Sequence, residues 1–190
     1  MANVKVARGS ARHKVLMAFN HDKFKNLVLY VAWKAGRRDW FGAPKLNKVL
    51  WFAEARSFVL HGSPIAGATY IRQKHGPVPQ QMMPIRKELE RAGKIKVFTE
   101  GSLIRITTDK KPDLSQLSKA ELQIIDYWIE HVDKEHTEAS ISDESHDYPW
   151  DIAKVNEEIP FYAILANRIR KPSDGELEKL RAVARAQGLL

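Results

Sequence analysis

Two consecutive segments, each rich in apolar residues at helical spacing and each stopped by a glycine, constrain this chain most. Phe24, Leu27, Val28 and Val31 recur at spacings of three, one and three, the stripe of an α-helix. Leu29, Tyr30, Ala32 and Trp33 widen that stripe, and Gly36 stops the helix. Pro44 then sits at a first helical position. Leu46, Val49, Leu50, Ala53 and Phe58 mark the buried side of a second helix, which Trp51 and Phe52 thicken and His61-Gly62 ends. Helices this apolar need neighbours on several sides. A chain of 190 residues has the material to supply them within one domain.

The neighbours follow in order. Residues 63–80 are punctuated by Pro64, Gly67, Gly76, Pro77 and Pro79, with a short extended piece at Ala68–Arg72. A third helix is expected from Gln80 to Ala92, with Pro84 tolerated in its first turn and Gly93 as its stop. Lys94–Thr108 changes character: Ile95, Val97, Leu103, Ile104 and Ile106 flank Glu100-Gly101-Ser102, the pattern of a β-hairpin. Ser118 and Glu121 form a capping-box pair. They open a fourth helix with Leu122, Ile125, Trp128, Ile129 and Val132 inward. Thr137 caps a short helix reaching His146, and Tyr148-Pro149-Trp150 reads as an aromatic turn. Ile159-Pro160 starts a helix through Phe161, Ile164, Leu165 and Ile169. Pro172-Ser173-Asp174 caps a last one over 175–187. The expected fold class is mainly α: a compact helical domain over 21–170 with one small β-hairpin. A basic N-terminal arm (1–20) and a C-terminal helical extension (171–190) flank it.

Composition narrows the function. There is no cysteine, which excludes disulfides, thiolate metal sites and cysteine nucleophiles. No apolar run reaches the roughly 18 residues of a membrane span, and the first residues lack a signal-peptide core. These features lead to the expectation of a cytoplasmic protein. Charge is divided: residues 1–111 hold 22 Lys/Arg against 7 Asp/Glu, and residues 112–160 hold 3 against 13. Such a split suits a protein partner with a complementary patch, or nucleic acid on the basic half, or nothing beyond solvated helix surface.

The sequence contains no phosphate loop, dinucleotide fingerprint or nucleophile elbow. The expectation is of a binding protein and not an enzyme, with no cofactor. His131, Asp133, His136 and His146 form the one histidine–carboxylate cluster. His131 and His136 are five apart, off one helix face unless the helix ends between them, so no metal is expected. Asp143, Glu144 and Asp147 beside His146 read as a solvated acidic patch. Arg37, Arg38, Lys45 and Lys48 flank Trp33, Trp40, Phe41 and Trp51, a mix that suits nucleic acid or simply two amphipathic helices with solvent-facing lysines. Trp40 and Phe41 fall in a loop, where aromatic residues suggest a contact surface. The rigid turn His75-Gly76-Pro77-Val78-Pro79 is either a structural joint or part of a binding face.

Three segments resemble one family. Lys45-Leu46-Asn-Lys48-Val-Leu-Trp-Phe52-Ala is similar to the Lys-Leu-x-Lys helix of the SocA-like antitoxins, the Panacea-domain family. Tyr70 with His75-Gly76-Pro77-Val78-Pro79 resembles its extended segment and Gly-Pro-Val loop. Leu117-Ser with Glu121, then Ser145-His146, Trp150 and Ile159-Pro160-Phe161, resembles its C-terminal half. His75 stands where an aromatic is usual, and Phe161 where tyrosine is. The resemblance covers residues 24–166. It implies a helical domain with a small hairpin, and a role as the antitoxin of a toxin–antitoxin pair, neutralising a toxin encoded by a neighbouring gene through direct binding. Toxins paired with this domain vary, and some relatives are phage or mobile-element proteins. The expected partner-binding residues are Trp40, Phe41 and His75–Pro79. The alternative is a DNA-binding regulator or phage accessory protein: helix, glycine, hairpin is the order of winged-helix modules, and operator DNA would meet that hairpin and the basic surface.

Overall fold

The computed structural model describes residues 18–168. The basic arm and the last helix expected from the sequence lie outside them, except for residues 18–20. The elements are α1 (His21–Ala35), α2 (Ala43–His61), β1 (Tyr70–Gln73), β2 (Gly76–Pro79), α3 (Met82–Arg91), β3 (Lys96–Glu100), β4 (Leu103–Thr107), α4 (Lys119–Glu135), α5 (Glu138–Glu144), α6 (Tyr148–Ile152) and a 3-10 helix (Phe161–Arg168).

Local chemistry sets the boundaries. Asn20 caps α1 by accepting from the Lys23 N–H, and Gly36 closes it. Pro44 lies in the first turn of α2, and Gly62 ends that helix in the left-handed region. Ser118 and Glu121 form the reciprocal capping box on α4. Thr137 and Ser140 do the same for α5. The hairpin β3–β4 pairs antiparallel, Val97 opposite Ile106, with Gly101 at φ 60° in its turn. Two expectations need correction. A second hairpin pairs Tyr70 with Pro79 and Gln73 with Gly76, so the extended piece has a partner strand. Tyr148-Pro149-Trp150 is not a turn but the first turn of α6, because Asp147 caps it by accepting from the Trp150 N–H.

α2 is the axle. It packs against α1, α4, α5, β2, β4 and the 3-10 helix. Leu46, Val49, Leu50, Trp51 and Ala53 are buried to within 1% exposure, as a helix with neighbours on several sides requires. Ile125, Ile129 and Val132 of α4 are buried opposite, while Leu122 and Trp128 pack at the margin. The Trp128 ring stacks on Phe52 at 4.5 Å between centroids.

Part of the divided charge is paired between α1 and α4. Lys23 pairs with Glu121 at 2.6 Å, Lys34 with Asp126 at 3.4 Å, and Arg38 with Glu130 at 2.5 Å and Asp133 at 2.9 Å. The Tyr30 hydroxyl donates to Asp126 at 2.7 Å. Residue numbers rise together on both sides, so basic α1 and acidic α4 run parallel, zipped along one edge. With Arg38 and Lys134 beside it, the Glu130 carboxyl is drawn down to about 2. Among the described residues, no helix is long and apolar enough to cross a membrane.

Candidate functional site

The residues that carry the family resemblance converge on one buried joint. Lys48 on α2 is 2% exposed, and its Nζ donates to the His75 carbonyl at 2.5 Å. Ser142 on α5 donates to the same carbonyl at 2.6 Å. Ser145, fully buried, donates to the Ser142 carbonyl at 2.6 Å. Gly76 sits against these groups at φ 99°. A Cβ there would lie 2.2 Å from Ser145 Oγ and 2.4 Å from Lys48 Nζ. Only glycine fits, in conformation and in space. Thus α2, the β1–β2 hairpin and α5 are locked at one point. No carboxylate offsets the Lys48 charge among the described hydrogen bonds and ion pairs, and burial pushes its ammonium down to about 8.

A stack flanks the joint. The His146 ring lies on Trp150 at 3.8 Å between centroids, and the Arg72 guanidinium stands 3.7 Å from the Trp150 ring. Trp150 donates through Nε1 to the Gln73 carbonyl at 3.2 Å, and Arg72 donates to the Ala153 carbonyl at 2.6 Å. Burial, with Lys48 and Arg72 nearby, lowers the His146 pKa against the pull of Asp143 and Asp151. At the start of β1, Tyr70 and Phe161 pack their rings against Trp51 at 4.9 and 5.6 Å. Pro160, half-buried, leads into this nest.

Several sequence expectations change here. Lys45 and Lys48 are not solvent-facing: both are 2% exposed, and Lys45 reaches the Asp133 carbonyl at 3.4 Å. Phe41 is 1% exposed and belongs to the core. Gly76, Pro77 and Pro79 are buried in the joint and Val78 half-buried, leaving His75 as the exposed residue of that turn. Rigidity in this loop holds the fold together; the sequence signal for a binding face was the same set of prolines and glycine. Trp40 keeps its place at the surface, 73% exposed, with φ 56°.

The structure also brings in residues that sequence reasoning passed over. Glu54, fully buried, accepts from the Ala66, Gly67 and Ala68 N–H groups at 3.0, 3.4 and 3.4 Å, closing the segment before β1. Burial raises its pKa against those bonds. Arg105, 8% exposed, donates to the Arg38 carbonyl at 2.5 Å and pairs with Glu100 at 2.7 Å. For Glu54 the signal was a carboxylate four positions after Leu50 and four before Phe58, on the apolar face of α2.

The histidine cluster divides. Asp133 goes to Arg38 and His146 to Trp150, but His131 and His136 meet with Nε2 atoms 3.3 Å apart. The helix ends at Glu135, between them, which removes the spacing objection to a shared ligand. Glu144 completes a group of three.

Residues 46–151, more than half of the chain, match the family described as antitoxin SocA-like, Panacea domain. No curated protein and no solved structure matches. The matched span runs from Leu46 on α2 through Lys48, the Gly76 hairpin, Ser145-His146 and Trp150. These are the parts of the joint just described, and the chain belongs to the antitoxin SocA-like, Panacea domain family.

Proposed function

We propose that this protein is the antitoxin of a toxin–antitoxin pair and neutralises a cognate toxin, encoded by a neighbouring gene, by direct protein–protein binding without catalysis. Membership of the family supports the class of partner. Trp40 is the observation that carries the mode of action. An L-residue with a bulky ring pays about 1–3 kcal/mol to sit at positive φ. Trp40 does so while 73% exposed, so packing within the chain returns little of that cost.

Its loop is nonetheless anchored on both sides. Phe41 is plugged into the core, Arg105 holds the Arg38 carbonyl, and the Arg38 side chain is fixed to α4. The neighbouring hairpin exposes Phe98 and Ile104 as well. An exposed aromatic on a pre-fixed backbone is the makeup of a binding hot spot, because little ordering entropy remains to be lost. The contact surface in this reading is centred on Trp40, with His75 as a second exposed position. DNA binding through the hairpin has less support, since its Arg105 is turned inward and paired.

The test is expression of each neighbouring gene alone in a host, and then with this protein. Arrest by one neighbour and rescue by this protein are expected. Toxicity that this protein leaves untouched would refute the reading.

A further inference from the structure

We propose that His131, His136 and Glu144 form a binding site for one divalent transition-metal ion of the zinc type, at the joint between α4 and α5. The two Nε2 atoms are 3.3 Å apart. The Glu144 oxygens stand 3.6 Å from His131 Nε2 and 2.9 Å from His136 Nε2. Two imidazole nitrogens, each about 2.0–2.1 Å from a tetrahedral ion, are separated by about 3.3 Å. The histidine pair already has that spacing, and the carboxylate lies on the same side.

The other ring nitrogens set which atoms face the centre. His131 Nδ1 is 3.1 Å from the Glu135 carboxylate, and His136 Nδ1 is 3.2 Å from Ser140 Oγ. A carboxylate accepts only, so Nδ1 of His131 carries the proton and Nε2 presents its lone pair. Ser140 Oγ accepts from the Thr137 N–H at 3.0 Å and can accept from His136 Nδ1 as well when a cation takes the Nε2 lone pair. In the metal-free chain the His136 Nε2–H donates to the Glu144 carboxylate at 2.9 Å; a cation that displaces this proton would gather both Nε2 lone pairs and the carboxylate at one point. Carboxylate and hydroxyl partners behind the imidazoles are the supporting shell that metal-binding histidines use.

The histidine side chains are 19% and 16% exposed and Glu144 is 37% exposed. The pocket is therefore sheltered on the imidazole side and open on the carboxylate side, where a water can complete the set. Two imidazoles with one carboxylate favour zinc-like ions over calcium or magnesium, which take oxygen sets. The site joins the end of α4 to α5, the helix whose Ser142 and Ser145 hold the Lys48–Gly76 joint. A bound ion would brace that joint from behind.

The experiment uses the full chain, free of any histidine tag, titrated with Zn2+ against a chromophoric chelator. One ion per chain is expected. His136→Ala is expected to weaken binding at least a hundredfold and Glu144→Gln at least tenfold, while His61→Ala, at an exposed helix end, leaves it unchanged. Co2+ is expected to give an intense visible band that Glu144→Gln diminishes, a readout that holds even where His136→Ala does not fold. Wild-type affinity weaker than about millimolar, or affinity unchanged in both ligand variants, would overturn the proposal.

Discussion

Replacing Lys48 with methionine keeps the aliphatic stem in its slot and removes the ammonium. Burial pushes that ammonium from its ordinary 10.5 down to about 8. The difference corresponds to about 3 kcal/mol by which the folded state disfavours the charged form. The sign follows from proton counting. Between pH 8 and 10.5 the unfolded chain binds the Lys48 proton and the folded chain has lost it, so stability rises with pH across that window. Below pH 8 the full cost is present. Lys45 is shifted in the same direction by burial, so the quantity to read is the difference between wild type and variant. Tyr30 and Tyr70 are raised, and their contribution fades only above the ordinary tyrosine value of 10, so measurements stop at pH 9.5. Burial lowers the pKa of His146 below its ordinary 6.5, so its contribution is complete by pH 7.5. Urea denaturation at pH 7.5 and 9.5 is the assay. Wild type is expected to gain about 2 kcal/mol more than Lys48→Met over that interval. At pH 7.5 the variant is expected to be as stable as wild type or about 1–2 kcal/mol more so, since the His75 carbonyl keeps the Ser142 hydroxyl. A loss of more than about 2 kcal/mol in Lys48→Met at pH 7.5, or equal pH profiles, would refute the argument that desolvation dominates at this lysine.

Gly76→Ala places a methyl within 2.4 Å of two side-chain atoms and at positive φ. It is expected to cost about 2–4 kcal/mol in chemical denaturation. Leu50→Ala and Ile125→Ala, both at fully buried positions, are each expected to cost about 2–5 kcal/mol in the same assay. The Glu130 carboxyl is held at about 2 by Arg38 and Lys134, so its contribution is present above 4.5 and lost as pH falls toward 2. Arg38→Met is expected to flatten that acid limb by about 1 kcal/mol or less, given the exposure of the pair, with the change followed by circular dichroism.

The helices and the β3–β4 hairpin were legible because their signals are local. Stripe spacing, the Ser118–Glu121 box, and Gly62 and Gly101 each act within a few residues. The hairpin at Tyr70–Pro79 was hidden because its strands are four residues long and hold two prolines, which argue against a strand unless it lies at an edge. Phe41 was misplaced because a loop residue can still be a core residue when its neighbours turn it inward, and the buried Arg105 that does this lies 64 positions away. Lys48 and Lys45 were misplaced for a related reason: lysine is rarely buried, and only the carbonyls of His75 and Asp133, far along the chain, make its burial tolerable. The charge division was visible as a count, but the zip between α1 and α4 that pairs part of it depends on tertiary structure. The metal-like triad was obscured because the five-residue spacing of His131 and His136 fits one site only when the helix ends between them, and where α4 ends is set by the Thr137 cap of the next helix.

The central claim is that neutralisation proceeds by direct binding through the surface around Trp40. Calorimetric titration of the purified product of the growth-arresting neighbouring gene into this protein tests it most directly. A stoichiometric complex with submicromolar affinity is expected, weakened at least tenfold by Trp40→Ala, with the variant as stable as wild type because the ring is exposed. Absence of a complex, or a complex indifferent to Trp40→Ala, would contradict it.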